Sequence, residues 1–448
     1  MAIESVVRYR YRVYPDAGQR TALSQAFGCA RVVYNDMLEA RETAWAAKTP
    51  QPTFTEMCRK FVTMAPKTPE RAYLAGVSKV VLQQALRQAD QAYRNYFTSI
   101  NGTRSGRKMA KPKFRSRHDS RRGIAFTRNA FRLRDNGDLM LVRIGELKVR
   151  WSRELPSFPT SVSIIRESDG RYYASFVVEV RDEAAPATTA VCGIDVGLST
   201  FATVLSKTDP DADESTLTEV ASPKFLRAKG RALARSHRSM SRKQKGSANR
   251  ERARVRNASL HRKVRESRLD HAHKVASLIV AEHQIIAVEG LSSAGMARGG
   301  PKGAKGRGNR KSVHDAALGQ FLRIVAEKSA RQGRQFVAVD QWFPSTRTCS
   351  NCGQLTGPRG FDGMRTRNWV CAGCGASHQR DWNAAQNILT EGLRILALRS
   401  AAGREDIHHV VEGHSKTQNA RGGSVRPEIQ AAPVEAGTGL TKQQVAAA

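Results

Sequence analysis

Four cysteines near the C-terminus stand as two C-x2-C pairs, Cys349–Ser350–Asn351–Cys352 and Cys371–Ala372–Gly373–Cys374, with 18 residues between them. Each pair turns tightly enough to offer two thiolates from one side, and two such knuckles complete the tetrahedron that zinc prefers. A site closed by four thiolates leaves no open coordination position. Its metal is therefore expected to be structural, and any chemistry must lie elsewhere. Three acids stand where carboxylates are costly. Asp195 interrupts the apolar run Cys192-Gly193-Ile194-Asp195-Val196, Glu289 ends Ile285-Ile286-Ala287-Val288-Glu289, and Asp381 opens a helical pattern within Arg380-Asp381-Trp382-Asn383-Ala384-Ala385.

Two of the acids have a plainer reading: Asp381 as a helix N-cap, Glu289 as the partner of an arginine. Taken together they suit a pair of Mg2+ ions, which oxygen ligands hold roughly 3.5–4 Å apart, one activating water and the other stabilising a leaving oxygen. A strand-centre Asp, a strand-end Glu and a helix-borne Asp form the arrangement of the RNase H-like fold. That fold opens with a β-hairpin, here Val191–Leu205. Arg380 and His378 flank Asp381 and the second knuckle. Arg380 could touch a phosphate or serve structure, and His378 could support the metal or face solvent.

The elements that must position these groups follow from periodicity. Val6–Tyr14 reads as a strand, Gln19–Arg41 and Val77–Phe97 as helices. A β-rich stretch follows over Ile124–Val180, with hairpin turns at Asn136-Gly137 and Asp169-Gly170. Asp182–Thr189 reads as a linker. The spacing then predicts strands over Ile285–Val288 and Gln335–Asp340, with one helix from Val313 to Gln332 before the second of them and another from Asp381 to Arg399. Ala297–Lys311 is expected to be a mobile Gly/Lys/Arg loop, and the chain beyond Ala401 a disordered tail.

Composition names the partner. Lys and Arg number 74 against 40 acidic residues, a net charge of +34 that points to a polyanion, with nucleic acid the first candidate. The charge is concentrated: Lys224–Lys274 holds 18 basic and 3 acidic residues, and Arg104–Arg122 holds nine basic residues, one acid and an interleaved Phe114. No apolar run reaches the ~18 residues of a spanning helix, so no membrane is expected, and no signal peptide is read at the start. Three isolated cysteines, Cys29, Cys58 and Cys192, read as small buried hydrophobes in a reducing compartment.

The motifs resemble the TnpB (OrfB) family of insertion-sequence proteins, related to type V CRISPR effector nucleases. The matching runs are Tyr11-Arg12-Val13-Tyr14-Pro15, Phe27-Gly28-Cys29-Ala30-Arg31-Val32-Val33-Tyr34-Asn35, Gly193-Ile194-Asp195-Val196-Gly197 and Val288-Glu289-Gly290-Leu291. They continue with Phe343–Gly353 and Arg380–Ile388, so the resemblance spans positions 11 to 388. Trp382 departs from the smaller apolar residue usual in the family.

The resemblance implies a mixed α/β and β, multidomain chain. A wedge-like β-barrel (1–19 and 124–182) is interrupted by a helical recognition domain (20–123). An RNase H-like (RuvC) nuclease domain (187–345 and 378–400) carries an inserted zinc ribbon (346–377), and a tail (401–448) follows. It implies an RNA-guided DNA endonuclease with Asp195, Glu289 and Asp381 as catalytic Mg2+ ligands, and Cys349, Cys352, Cys371 and Cys374 on one structural zinc. The expected partners are a guide RNA, double-stranded DNA bearing a short adjacent motif read by the protein, and a transposase from the same element. The expected place is the prokaryotic cytoplasm, at the nucleoid. A nuclease-silent, RNA-guided DNA-binding repressor would dispense with the acids, and a strand-transferring transposase would share them.

Overall fold

The computed structural model describes residues 4–104, 108–182, 184–292, 295–296, 303–359, 363, 366–401, 417–418 and 424–425. The chain divides into two compact units, one built mainly from Met1–Arg181 with Ser236–Ser259, the other from Asp182–Arg235 and Leu260–Val411.

In the first unit, β1 (Glu4–Tyr14) is followed by α1 (Ala17–Ala46), α2 (Phe54–Cys58), a run of π and 3-10 turns to Gly76, and α3 (Lys79–Ile100). Then come β2 (Arg122–Thr127), β3 (Phe131–Leu133), β4 (Leu139–Leu141), β5 (Gly145–Arg150), β6 (Ser161–Arg166) and β7 (Tyr172–Arg181). They form one antiparallel sheet of seven strands in the order β2-β6-β7-β1-β5-β4-β3. The N-terminal strand thus lies at the sheet's centre. Helix α1 begins with a capping box in which Asp16 and Gln19 satisfy each other's backbone amides. Its buried stripe, Leu23, Phe27, Ala30, Tyr34 and Leu38 among others, packs in one core with Leu82, Leu86, Phe126 and Phe176.

The second unit holds a five-stranded mixed sheet. Its strands are β8 (Val191–Val196), β9 (Thr200–Lys207), β10 (Thr216–Ala221), β11 (Ile285–Glu289) and β12 (Gln335–Val339), in the order β10-β9-β8-β11-β12. The first three pair antiparallel, and β11 runs parallel to both β8 and β12. Its helices are α4 (Phe225–Ala228), α5 (Gly230–Ser241, part of which belongs to the first unit), α6 (Ala248–Glu282, likewise), α7 (Gly303–Ala316), α8 (Leu318–Arg331) and α9 (Arg380–Ala401). Because side chains alternate along a strand, Cys192, Ile194, Val196, Ile286 and Val288 meet Leu269, Val275 and Ile279 of α6 and Phe321 and Val325 of α8. Val191 and Ala287 face the other way, onto Ala385, Ile388 and Leu389 of α9. Two short strands, β13 (Asn368–Val370) and β14 (Ser377–Gln379), pair antiparallel and lead straight into α9.

Two sequence expectations are corrected here. Residues 303–316 form a helix, not a loop. Its far end is anchored by Asp315, which accepts hydrogen bonds from the Leu226 and Arg227 amides and pairs with Arg268 at 2.8 Å, so tertiary contacts override the poor helix propensity of its glycines. The rest of the expected loop, 297–302, lies outside the described residues. The single helix expected over Val313–Gln332 is instead two, broken at Ala317, which sits at φ +52°. The expected linker is held in place: Arg334 bonds the Pro186 carbonyl and Arg331 pairs with Asp182. Of the expected tail, nearly all lies outside the described residues.

Candidate metal and nuclease centre

Strand alternation decides where the acids point. Val191, Gly193 and Asp195 share the α9 face of β8, and Ile285, Ala287 and Glu289 share that face of β11. The parallel register Val191↔Ile285 and Gly193↔Ala287 then brings Asp195 and Glu289 to neighbouring strand ends. Those are the carboxyl ends of parallel strands, where open α/β sheets place their ligands. Helix α9 covers this face unusually closely. A Cβ on Gly193 would lie 2.2 Å from the Ala385 carbonyl oxygen, and one on Gly392 would lie 2.5 Å from Ala287 Cβ. That close approach sets the first turn of α9, and so Asp381, beside the two strand acids.

The electrostatics report the convergence. Asp195 is pushed up to about 7, first by burial, then by the charges of Glu289 and Asp381, with Arg380 and Arg367 opposing. Burial also raises Glu289. Asp381 is buried but well partnered: its carboxylate accepts from Arg380 at 3.0 Å and pairs with Arg367, whose other nitrogen donates to Ser199 Oγ at 2.9 Å. Arg367 thus ties the turn before β13 to the β8–β9 hairpin and to α9. Sequence reasoning missed it, because nothing in its neighbourhood marks one arginine among 74 basic residues. Trp382, the family departure, is half exposed and donates its indole N–H to Glu219.

The four thiols meet as expected. All their sulfurs lie within 4.8 Å of one another, with Cys349–Cys374 at 3.7 Å and Cys352–Cys371 at 3.6 Å. A disulfide would need about 2.05 Å, whereas a tetrahedron with arms of about 2.3 Å has edges of about 3.8 Å. The donor set therefore fits zinc. The knuckles are built alike: Gly353 and Gly375, each following the second cysteine, adopt φ +75° and +74°, which a side chain would resist. Their amides donate to the Cys349 and Cys371 carbonyls at 2.9 Å. The Thr356 hydroxyl lies 3.0 Å from Cys371 Sγ and helps draw that thiol down to about 6. His378, left open above, packs on Trp369 and sets Nε2 3.0 Å from Cys349 Sγ, so it supports the cluster rather than the carboxylates. Among the described residues the thiols are the only group of three or more metal-ligating side chains this tight.

Two asparagines join the two centres. Asn387 donates to the Ser345 and Thr348 carbonyls at 2.8 and 2.7 Å, and Asn383 to the same pair at 3.2 and 2.8 Å. Asn383 also accepts from the Ser350 amide at 2.9 Å. Spaced i, i+4 on α9, they clamp the first knuckle to the helix that carries Asp381.

Known proteins match along the chain. Residues 175–299 match the family described as "Probable transposase", 319–388 the Cas12f1-like TNB domain and 7–49 a helix-turn-helix domain. A Streptomyces pristinaespiralis protein named "Putative RNA-guided DNA endonuclease" is 37% identical over 87% of this chain and 90% of its own length. A Mycobacterium tuberculosis protein of the same description is 31% identical over 86% of each. The fold resembles that of Cas12f1 in its complex with sgRNA and target DNA, with a TM-score of 0.51 at 12% identity, over 86% of this chain and 98% of the other. With matches this long, and with the acids and thiols of the motifs gathered into two centres, the chain belongs to the TnpB (OrfB) family.

Proposed function

We propose that this protein is an RNA-guided DNA endonuclease whose cutting site is formed by Asp195, Glu289 and Asp381. The observation that carries the reading is the gathering of three carboxylates at the carboxyl ends of β8 and β11 beneath the first turn of α9, with Asp195 held near neutrality by burial and by its acidic neighbours. Such a desolvated acidic cluster suits divalent cations, because a cation relieves both the burial and the mutual repulsion. Two bound Mg2+ ions would supply water activation and charge neutralisation at the leaving oxygen.

The chain's own groups do the rest. Asp195 and Glu289 present their oxygens from rigid strand ends. Asp381 is oriented by Arg380 and Arg367, guanidiniums that can turn to a phosphate once a cation takes their place. The zinc-fitted knuckles, clamped to α9 through Asn383 and Asn387, keep that helix in register. In this reading the mixed sheet and α9 form a RuvC-type, RNase H-like domain. The seven-stranded sheet corresponds to a wedge-like barrel interrupted by α1–α3. Guide RNA and target backbone lie on the basic segments, with a short adjacent motif in the DNA read by protein. A transposase of the same element is the natural partner. No described helix is long and apolar enough to cross a membrane.

The test purifies the full chain with its bound RNA, sequences that RNA, and supplies a plasmid carrying the complementary target. Cutting should require Mg2+, and Asp195→Ala, Glu289→Ala and Asp381→Ala should each nearly abolish it while retaining RNA. Combining two should add little, since residues acting as one unit are non-additive. A wild type that retains RNA and target yet never cuts would hand the site to the repressor reading.

A further inference from the structure

The motif Phe27–Asn35 on α1 has no part in the acidic or thiol centres, yet its residues build a second site. Phe27, Gly28 and Arg31 line a cavity of about 760 Å3 in the first unit, bordered along the edge strand β2 by Gly123 and Ile124 and along β6 by Ser163 and Ile165. That volume lies within the range of ligand pockets, roughly 300–1,000 Å3. Tyr34 and Asn35 hold one wall in place. Asn35 pins the Arg115 backbone from both sides, donating to its carbonyl at 3.0 Å and accepting from its amide at 2.8 Å. The Arg115 guanidinium lies 3.7 Å from the centre of the Tyr34 ring and donates to Gln88 Oε1 at 3.0 Å.

The lining is divided. Its apolar part, taken as the floor, is the buried Phe27, Ala30, Ile124 and Ile165, and its charged part, taken as the rim, is Arg8, Arg31, Arg117, Arg121 and Arg122 with a single acid, Asp119, whose carboxylate accepts from the Ser116 amide. A phosphate backbone alone would satisfy the rim and leave the floor without a partner. A base satisfies both, since it has a π-face for apolar and guanidinium surfaces and a phosphate attached to it. Gln88, whose carbonyl accepts from Arg115, has an NH2 group suited to donate to an acceptor on a base edge.

We propose that this cavity takes one unstacked nucleotide of a nucleic-acid strand, base on the floor and phosphate on the arginine rim. The inference rests on the chain being a nucleic-acid protein, but not on its cutting DNA. RNA and DNA share the chemistry, and the experiment separates them.

Gly28 supplies the tool, because a Cβ there would meet nothing within 4 Å. Gly28→Leu therefore fills the floor without touching a charge and with a residue that favours the helix. The full-length chain, freed of nucleic acid, is titrated with labelled 12-nucleotide single-stranded RNA, single-stranded DNA of the same sequence, and the DNA duplex. Gly28→Leu should weaken at least one single strand about tenfold, leave duplex binding within about twofold, and leave the salt slope unchanged because no charge is lost. The strand that loses more identifies the source. Equal affinities of variant and wild type for all three probes overturn the proposal, as does an equal loss for all three. If Gly28→Leu fails to fold, Gln88→Met decides by the same readouts. A wild type that never cuts DNA, with a selective loss in Gly28→Leu, sinks the endonuclease reading and leaves this one standing.

Discussion

Replacing Asp195 by Asn should make the protein more stable while removing its cutting activity. In the native state burial and the neighbouring Glu289 and Asp381 raise the carboxyl from 3.8 to about 7. Between about pH 4 and pH 7 the folded chain therefore binds a proton that the unfolded chain has lost, and stability falls as pH rises. Above about pH 7 both states are ionised and the deficit is constant. The full displacement corresponds to roughly 4 kcal/mol. The residue is only partly buried, and relaxation lowers the effective cost further, so about 2 kcal/mol is the expected gain. Urea unfolding of the RNA-free chain in EDTA, from about pH 5 to pH 8, measures it. The advantage of Asp195→Asn should widen up to about pH 7 and then stay level, and Mg2+ at about pH 8 should narrow it by stabilising the wild type alone. An advantage independent of pH, or none at about pH 8, would refute the account of Asp195 as a desolvated, repelled carboxylate.

Gly193→Ala should be far more damaging than its size suggests, because its Cβ would meet Ala385 backbone at 2.2 Å and Leu389 at 2.8 Å. Denaturation should show a loss of about 3 kcal/mol or more, with Mg2+-dependent cutting lost as α9 is pushed off the sheet. Metal analysis should find about one zinc per chain, and Cys371→Ser should lower both zinc content and thermal stability, since ligand binding and local folding are coupled; a metal-free, fully stable variant would contradict this. Replacing Arg231, Arg235, Arg238 and Arg242 together by Ala should flatten the log–log dependence of RNA affinity on salt, each lost phosphate contact reducing the slope by about 0.7. An unchanged slope would mean this segment faces solvent.

Much of the molecule is legible one residue at a time. The C-x2-C spacing specifies a thiol cluster because knuckle geometry is local, and the structure brings all four sulfurs together. The strand Ile285–Glu289 declares itself by apolar content, and Asp195 and Glu289 stand out because apolar strands rarely carry acids. Where the signal was weak, tertiary contacts overruled it. Glycine-rich 303–316 is helical with Asp315 tied to α4 and Arg268, and one apolar stripe became two helices at Ala317.

The meeting of the three acids lay beyond any local pattern, although the family resemblance pointed to it. Positions 195, 289 and 381 are far apart in sequence, and only the parallel register of β8 with β11 turns their acids to one face. Only the missing side chains of Gly193 and Gly392 let α9 lie close enough to set Asp381 beside them. The same holds for Arg367, and for Tyr34 and Asn35, which reach across to hold Arg115. Residue type and spacing determined which groups could bind metal, because ligand preference and strand burial are local properties. Which groups share a site was decided by sheet register and helix approach, which are long-range.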